Sequence, residues 1–196
     1  MKTENISIAG KEYNSNDVLF VFALKSESGE YFKNYNVCYT GIGKVQATFY
    51  LTQAIHKFNP KLIINLGSAG STFFKKGELV CCTQFVQRDM HVEQLGFLPY
   101  ETPLTSTPVV FNYGLTIDSI QQGICGTGDQ FETQMHENIY SVVDMEAYAL
   151  AWVAKNYDIP FLSVKYITDG ANEEADKEWV DEVKNVGLEF KNFLKI

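Results

Sequence analysis

The stretch GIGKVQATFYLTQAIHKFNPKLIINLGSAGS, residues 41–71, decides how the chain reads. Val45, Phe49, Thr52, Ile55 and Phe58 recur at helical spacing and predict a helix with one apolar face. KLIINL (61–66) comes directly after it, bounded by Asn59-Pro60 and Gly67, and predicts a buried strand. Gly67-Ser68-Ala69-Gly70 then stands at the carboxyl end of that strand. It fits two readings. Small residues let a backbone approach a ligand closely, and Ser68 adds a hydroxyl; equally, the four residues can be a plain strand-exit turn.

Working outward, the same alternation repeats. VLFVFAL (18–24), NVCYT (36–40), ELVCCTQFV (78–86), QGICGT (122–127) and FLSVKYI (161–167) read as further strands, short and rich in β-branched or aromatic residues. Tyr148, Trp152 and Lys155 on one side, with Ala149, Val153 and Tyr157 on another, predict a broadly buried helix. Trp179, Val183, Val186, Phe190 and Phe193 form one stripe of a C-terminal helix. This order predicts an α/β fold with a largely parallel central sheet flanked by helices. Residues 88–120, with Pro99, Pro103 and Pro108, break the pattern and read as a long excursion, either a flap or an interface loop. No repeat or linker interrupts the chain, so one domain over residues 1–196 is expected.

Composition narrows the function. The net charge of -8 opposes binding to a nucleic-acid backbone. Arg88 is the only arginine, so one chain cannot supply a cluster of guanidinium forks. Cys38, Cys81, Cys82 and Cys125 form no C-x-x-C pair, and the histidines at 56, 91 and 136 are scattered, so no metal site is expected. The cysteines read as reduced core residues of a cytoplasmic protein. The polar N-terminus predicts no signal peptide, and the longest apolar run, Val18 to Leu24, is too short for a membrane span.

Three more segments fall at predicted element ends. Gly41-Ile42-Gly43-Lys44 lacks both the dinucleotide fingerprint and the P-loop spacing; it reads as a helix-opening turn, and no NAD or ATP site is supported. Asp144-Met145-Glu146 opens the helix that runs to Tyr157, either for dipole reasons or so that a carboxylate can hold a sugar diol. Thr168-Asp169-Gly170-Ala171-Asn172 comes directly after FLSVKYI. Asp169 there either caps the next helix or, desolvated at a strand end, donates a proton.

GIGKVQATFYLTQAIHKFNPKLIINLGSAGS, then GTGDQF, then VVDMEAYALAWVAKNYDIPFLSVKYITD, in that order, resembles the purine nucleoside phosphorylase and nucleosidase superfamily. Within it the likeness is nearest to 5′-methylthioadenosine/S-adenosylhomocysteine nucleosidases, over roughly residues 18–170 and weakest across 88–120. The resemblance implies a phosphorylase/hydrolase-like mixed sheet that binds a purine nucleoside. It makes Glu27, at the end of Ala23-Leu24-Lys25-Ser26-Glu27, the base that activates water; Lys25 and Ser26 replace the usual acidic neighbours, and Glu30 is the reserve. Ser68, with Ala69 and Gly70, would lie near the ribose and the attacking water. Phe131 would stack on the purine, and Glu132 would bind it through its backbone. Met145 would pack on the ribose and Glu146 hold its hydroxyls, with Asp144 where a glutamate is common. Asp169 would protonate the leaving purine.

Breaking an N-glycosidic bond builds positive charge on the sugar and negative charge on the base, which two carboxyl groups in different environments can address. Phosphorylases of this superfamily hold phosphate with several arginines. One of them precedes the GSAG-like turn, where this chain reads NLGSAG. Hydrolysis is therefore expected, releasing the free base without a cofactor; phosphorolysis is the alternative, and a catalytically silent nucleoside binder the second. The 5′ group would be read by residues 88–120, where His91 is either a pH-sensitive contact or a plain loop residue. Adenosine-type and futalosine-like substrates both stay open. The resemblance further implies a homodimer.

Overall fold

The computed structural model describes residues 4–133, 139–172 and 175–196, apart from the side chains of residues 176–178 and 181. The polar N-terminus is a hairpin: β1 (Asn5–Ile8) pairs antiparallel with β2 (Lys11–Asn14). Ala9 and Gly10, both at positive φ, make its two-residue turn, the handedness that matches strand twist. Ile6, Ile8 and Tyr13 are buried on the main body, a period-2 signal hidden among polar neighbours.

The main sheet contains β3 (Val18–Phe22), β4 (Asn36–Tyr39), β5 (Leu62–Gly70), β6 (Leu79–Gln87), β7 (Phe111–Asn112), β8 (Gln121–Thr127), β9 (Val142–Asp144) and β10 (Phe161–Asp169). It is mixed. Parallel pairs join β3 to β4 and β5, β5 to β10, β6 to β8 and β8 to β9. Antiparallel pairs join β6 to β10, β6 to β7 and β5 to β9. Among the described residues, β5, β10, β6, β8 and β9 therefore close on one another like a barrel, with β3 and β4 continuing from β5. The seam is narrow: Gly70 pairs with Val143 alone.

Helices cover both faces, which explains why the strands lack polar alternation. Leu19 and Val21 pack with α2 (Lys44–Phe58) and α3 (Ala147–Asn156). Phe20 and Phe22 belong to the opposite core with α4 (Ala175–Leu194) and the hairpin. α3 is buried nearly all round, and Val183, Val186 and Phe190 form the inner stripe of α4, as the periodicity predicts.

Two local expectations change. Asp144 ends β9 rather than opening a helix; α3 begins at Ala147, whose amide donates to Asp144 Oδ2 at 2.8 Å. Residues 88–120 do not leave the sheet throughout, because Phe111 is buried in the core and pairs with Phe85 of β6. Among the described residues, no helix is long and apolar enough to cross a membrane.

Candidate active site

The short helix α1 (Lys25–Ser28) comes after β3 and carries Glu27, whose carboxylate is buried. Its Oε2 accepts the Leu24 amide at 2.9 Å. Its Oε1 accepts both the amide, at 2.9 Å, and the hydroxyl, at 2.8 Å, of Ser68 on β5. Ser68 Oγ in turn accepts the indole N–H of Trp179 on α4 at 2.8 Å. Glu30, the reserve, is exposed and paired with Lys33 at 3.9 Å.

Gly67-Ser68-Ala69-Gly70 is not a strand-exit turn but the last four residues of β5, and its glycines have a steric reason. A Cβ on Gly67 would stand 3.3 Å from Glu27 Oε1 and 3.5 Å from Lys165 Nζ. One on Gly70 would stand 2.5 Å from Asp169 Oδ1, closer than a real Cβ contact. Asp169 ends β10. Its Oδ1 accepts the Ala171 amide at 3.0 Å and its Oδ2 the Thr168 hydroxyl at 2.8 Å. Close backbone approach is thus how two buried carboxylates reach the end of β5.

The residues after β9 complete the wall. Asp144 Oδ1 accepts the Thr127 hydroxyl at 2.6 Å, and Oδ2 meets Lys165 Nζ at 2.8 Å, both side chains being fully buried. Burial alone would raise the Asp144 carboxyl, but the Lys165 ammonium holds it below the usual range. Lys165 opposes its own desolvation through the same pair and stays charged. Glu146 Oε1 accepts the Gly43 amide at 2.8 Å. Burial first, and the Asp144 carboxylate second, push Glu146 from 4.5 up to about 8, so near neutral pH it carries a proton and can donate as well as accept.

One cavity of about 380 Å³ gathers Glu27, Ser68, Ala69, Gly70, Phe131, Glu132, Asp144, Met145, Glu146 and Asp169, while Glu30 lies outside its lining. Arg88, Trp179 and Ile42 also line it. Arg88, the first residue of the expected excursion, stands directly after β6, with its guanidinium buried. Trp179 reads in sequence as one more member of an apolar stripe; its indole N–H was the available signal, since a buried indole needs an acceptor. Lys165 lies inside a strand, where a single lysine among apolar residues is the sign of a buried pair.

Among the described residues, no group of three His, Cys, Asp or Glu side chains is arranged to hold a metal, and His136 lies outside those residues. His91 sits away from the cavity lining, exposed, with Nδ1 at 3.1 Å from Glu93.

The closed mixed sheet thus carries a carboxylate-rich cavity at the ends of β3, β5 and β10. The family model described as the phosphorylase superfamily matches residues 23–195, and the chain belongs to that family. Over 159 residues it is 33% identical to the 5′-methylthioadenosine/S-adenosylhomocysteine nucleosidase of Staphylococcus haemolyticus, an alignment covering 70% of this chain and 69% of that protein. The Helicobacter pylori nucleosidase of the same name, solved with butyl-thio-DADMe-Immucillin-A, superposes with a TM-score of 0.80 at 20% identity, covering 91% of this chain and 95% of that one. The futalosine hydrolase of Helicobacter pylori superposes with a TM-score of 0.80 at 22% identity over 91% and 95%. At these identities the structural likeness speaks for the fold.

Proposed function

We propose that the chain is a purine nucleosidase that hydrolyses the N-glycosidic bond of a 5′-modified adenine nucleoside, of the methylthioadenosine or S-adenosylhomocysteine type, and releases the free base. The observation that carries this is the presence of Glu27 and Asp169, 142 residues apart in sequence, in the wall of one cavity with Phe131 and Glu146. The Staphylococcus relative's name supplies the substrate class.

The hydrogen bonds suggest a division of labour. An ionised carboxylate offers about four acceptor sites. Among the described residues, Glu27 uses three of them, on Leu24 and Ser68, so it is held rigidly with one site left for a water proton. Glu27 is the general base, and Ser68 steers it. Phe131, 47% exposed at the cavity, stacks on the purine, while the backbone of Glu132 reads its edge. Protonated Glu146 donates to one ribose hydroxyl and accepts from another, with Met145 packed on the sugar and Ala69 and Gly70 bounding it. Asp144 acts through its pair with Lys165 and its hold on α3. As the bond to C1′ lengthens, Asp169 delivers a proton to the base, and water, losing its proton to Glu27, adds to the sugar.

Phosphorolysis is disfavoured because the single arginine is engaged: Arg88 donates to the Gln130 carbonyl and to Glu132. The test is adenine release from methylthioadenosine with and without phosphate. Turnover should be indifferent to phosphate and fall at least ~100-fold in Glu27→Gln and in Asp169→Asn. Ribose-1-phosphate as product would overturn hydrolysis; binding without turnover by the wild type would favour the silent binder.

The assembly is proposed to be a homodimer. Ile42, Val45, Phe49 and Trp152 expose apolar surface on and beside α2 and α3, next to the cavity that Ile42 lines. Four buried free cysteines support a cytoplasmic setting.

A further inference from the structure

The chain's only arginine is buried beneath the loop that bears Phe131. The Arg88 amide donates to the Thr127 carbonyl at 2.9 Å. Its Nη2 donates to the Gln130 carbonyl and its Nη1 to Glu132 Oε2 at 3.3 Å. A Cβ on Gly128 would stand 2.9 Å from the guanidinium carbon, so the Gly128 backbone lies against the guanidinium group.

The next residue continues the contact. Asp89 Oδ2 accepts the Asp129 amide at 2.8 Å, and Lys44 Nζ bridges Asp89 Oδ1 at 2.6 Å and Asp129 Oδ2 at 3.3 Å. The pair Arg88-Asp89 therefore touches residues 128, 129, 130 and 132. Phe131, which these contacts pass over, lines the cavity between Gln130 and Glu132.

Arg88 Nε is buried and has no acceptor among the described residues. A guanidinium that sits where one donor is unmatched has been placed by its other contacts. Although Arg88 lines the cavity, its Nη1 and Nη2 are directed to Glu132 and the Gln130 carbonyl, so the group acts through the loop. Its planar fork holds two acceptors in a fixed relative geometry that a lysine's point-charge ammonium does not impose.

We propose that Arg88 is a positioning residue for base recognition, a clamp that with Asp89 presets residues 128–132 so that Phe131 meets the purine in its stacking position. The proposal rests on the nucleosidase reading of the cavity. Preorganising a stacking platform favours bound substrate and transition state alike, so loss of the clamp should appear in KM rather than in kcat.

The test is calorimetric binding of free adenine, which needs no turnover, together with steady-state kinetics on methylthioadenosine. Arg88→Met should weaken adenine binding at least tenfold and raise KM by a similar factor, and Arg88→Lys should recover only part of that. Gly128→Ala leaves every charge in place but drives a methyl into the guanidinium; it should weaken adenine binding in the same direction, and it decides the matter if Arg88→Met does not fold. Equal adenine binding by wild type, Arg88→Met and Gly128→Ala, or a fall in kcat with KM unchanged, overturns the clamp alone. No adenine binding by the wild type overturns the purine reading, and the clamp with it.

Discussion

Glu146 meets the Gly43 amide on one side and the field of Asp144 on the other, and burial with that field lifts its carboxyl to about 8. The consequence for stability has a definite sign. The unfolded chain loses this proton near 4.5, whereas the folded chain keeps it to about 8. Between those values the native state binds more protons, so this group's contribution is full below pH 4.5 and is lost as pH rises through 8. Thermal melts of the wild type should therefore fall from about pH 5 to about pH 8.5, and Glu146→Gln should flatten that fall. Asp144, held low by Lys165, acts in the opposite direction and only in acid, as pH falls through its own range. The candidate carboxylates were legible in the sequence because each stands at a strand end in a recognisable motif. The displaced proton of Glu146 was not, because its first cause is burial, which only folding imposes, with the charge of Asp144 second.

At the scale of elements, α4 shows how packing reaches the site. Its apolar stripe was plain in the sequence, but two of its residues do more than fill the core. Trp179 holds the Ser68 hydroxyl. Gly187 lets the helix lie against α1, since a Cβ there would stand 2.5 Å from the Ser28 carbonyl oxygen and 3.1 Å from that of Glu27. In an open helix, Gly→Ala stabilises by about 1 kcal/mol. Here the methyl meets backbone, and overpacking of this kind costs about 1–3 kcal/mol. Gly187→Ala should therefore lower the denaturation midpoint in urea, and by shifting α1 it should reduce turnover through displacement of Glu27. An unchanged or raised midpoint would show that α4 can slide without cost. β9 and the N-terminal hairpin escaped the sequence reading for a different reason. Three residues of strand carry too little periodicity to register, and Ile6, Ile8 and Tyr13 alternate within a polar stretch.

At the scale of the molecule, strand order explains the convergence. β3, β5 and β10 run parallel, with β5 between the other two, so their carboxyl ends lie together and deliver Glu27, Ser68 and Asp169 to one place. The Gly70–Val143 pairing at the seam then sets Met145 and Glu146 beside the end of β5. The proposed homodimer belongs to this scale too. Light scattering should give twice the chain mass of 22.2 kDa, and replacing Val45, 80% exposed on α2, by Asp should shift the distribution toward monomer. A monomer at all concentrations would remove the proposal.

The residues themselves determined the α/β class, the inner faces of α2, α3 and α4, and the set of side chains offered to a nucleoside, because apolar periodicity and short motifs at element ends are local properties. They also supplied a single arginine, which argues against a phosphate cradle. Tertiary structure alone decided that the mixed sheet closes on itself like a barrel, that Lys165 pairs with Asp144 beneath the cavity, and that Arg88 lies under the base-facing loop. Each of these depends on which strand lies beside which. That choice is made by long-range pairing and burial, and neighbouring residues in sequence carry no record of it.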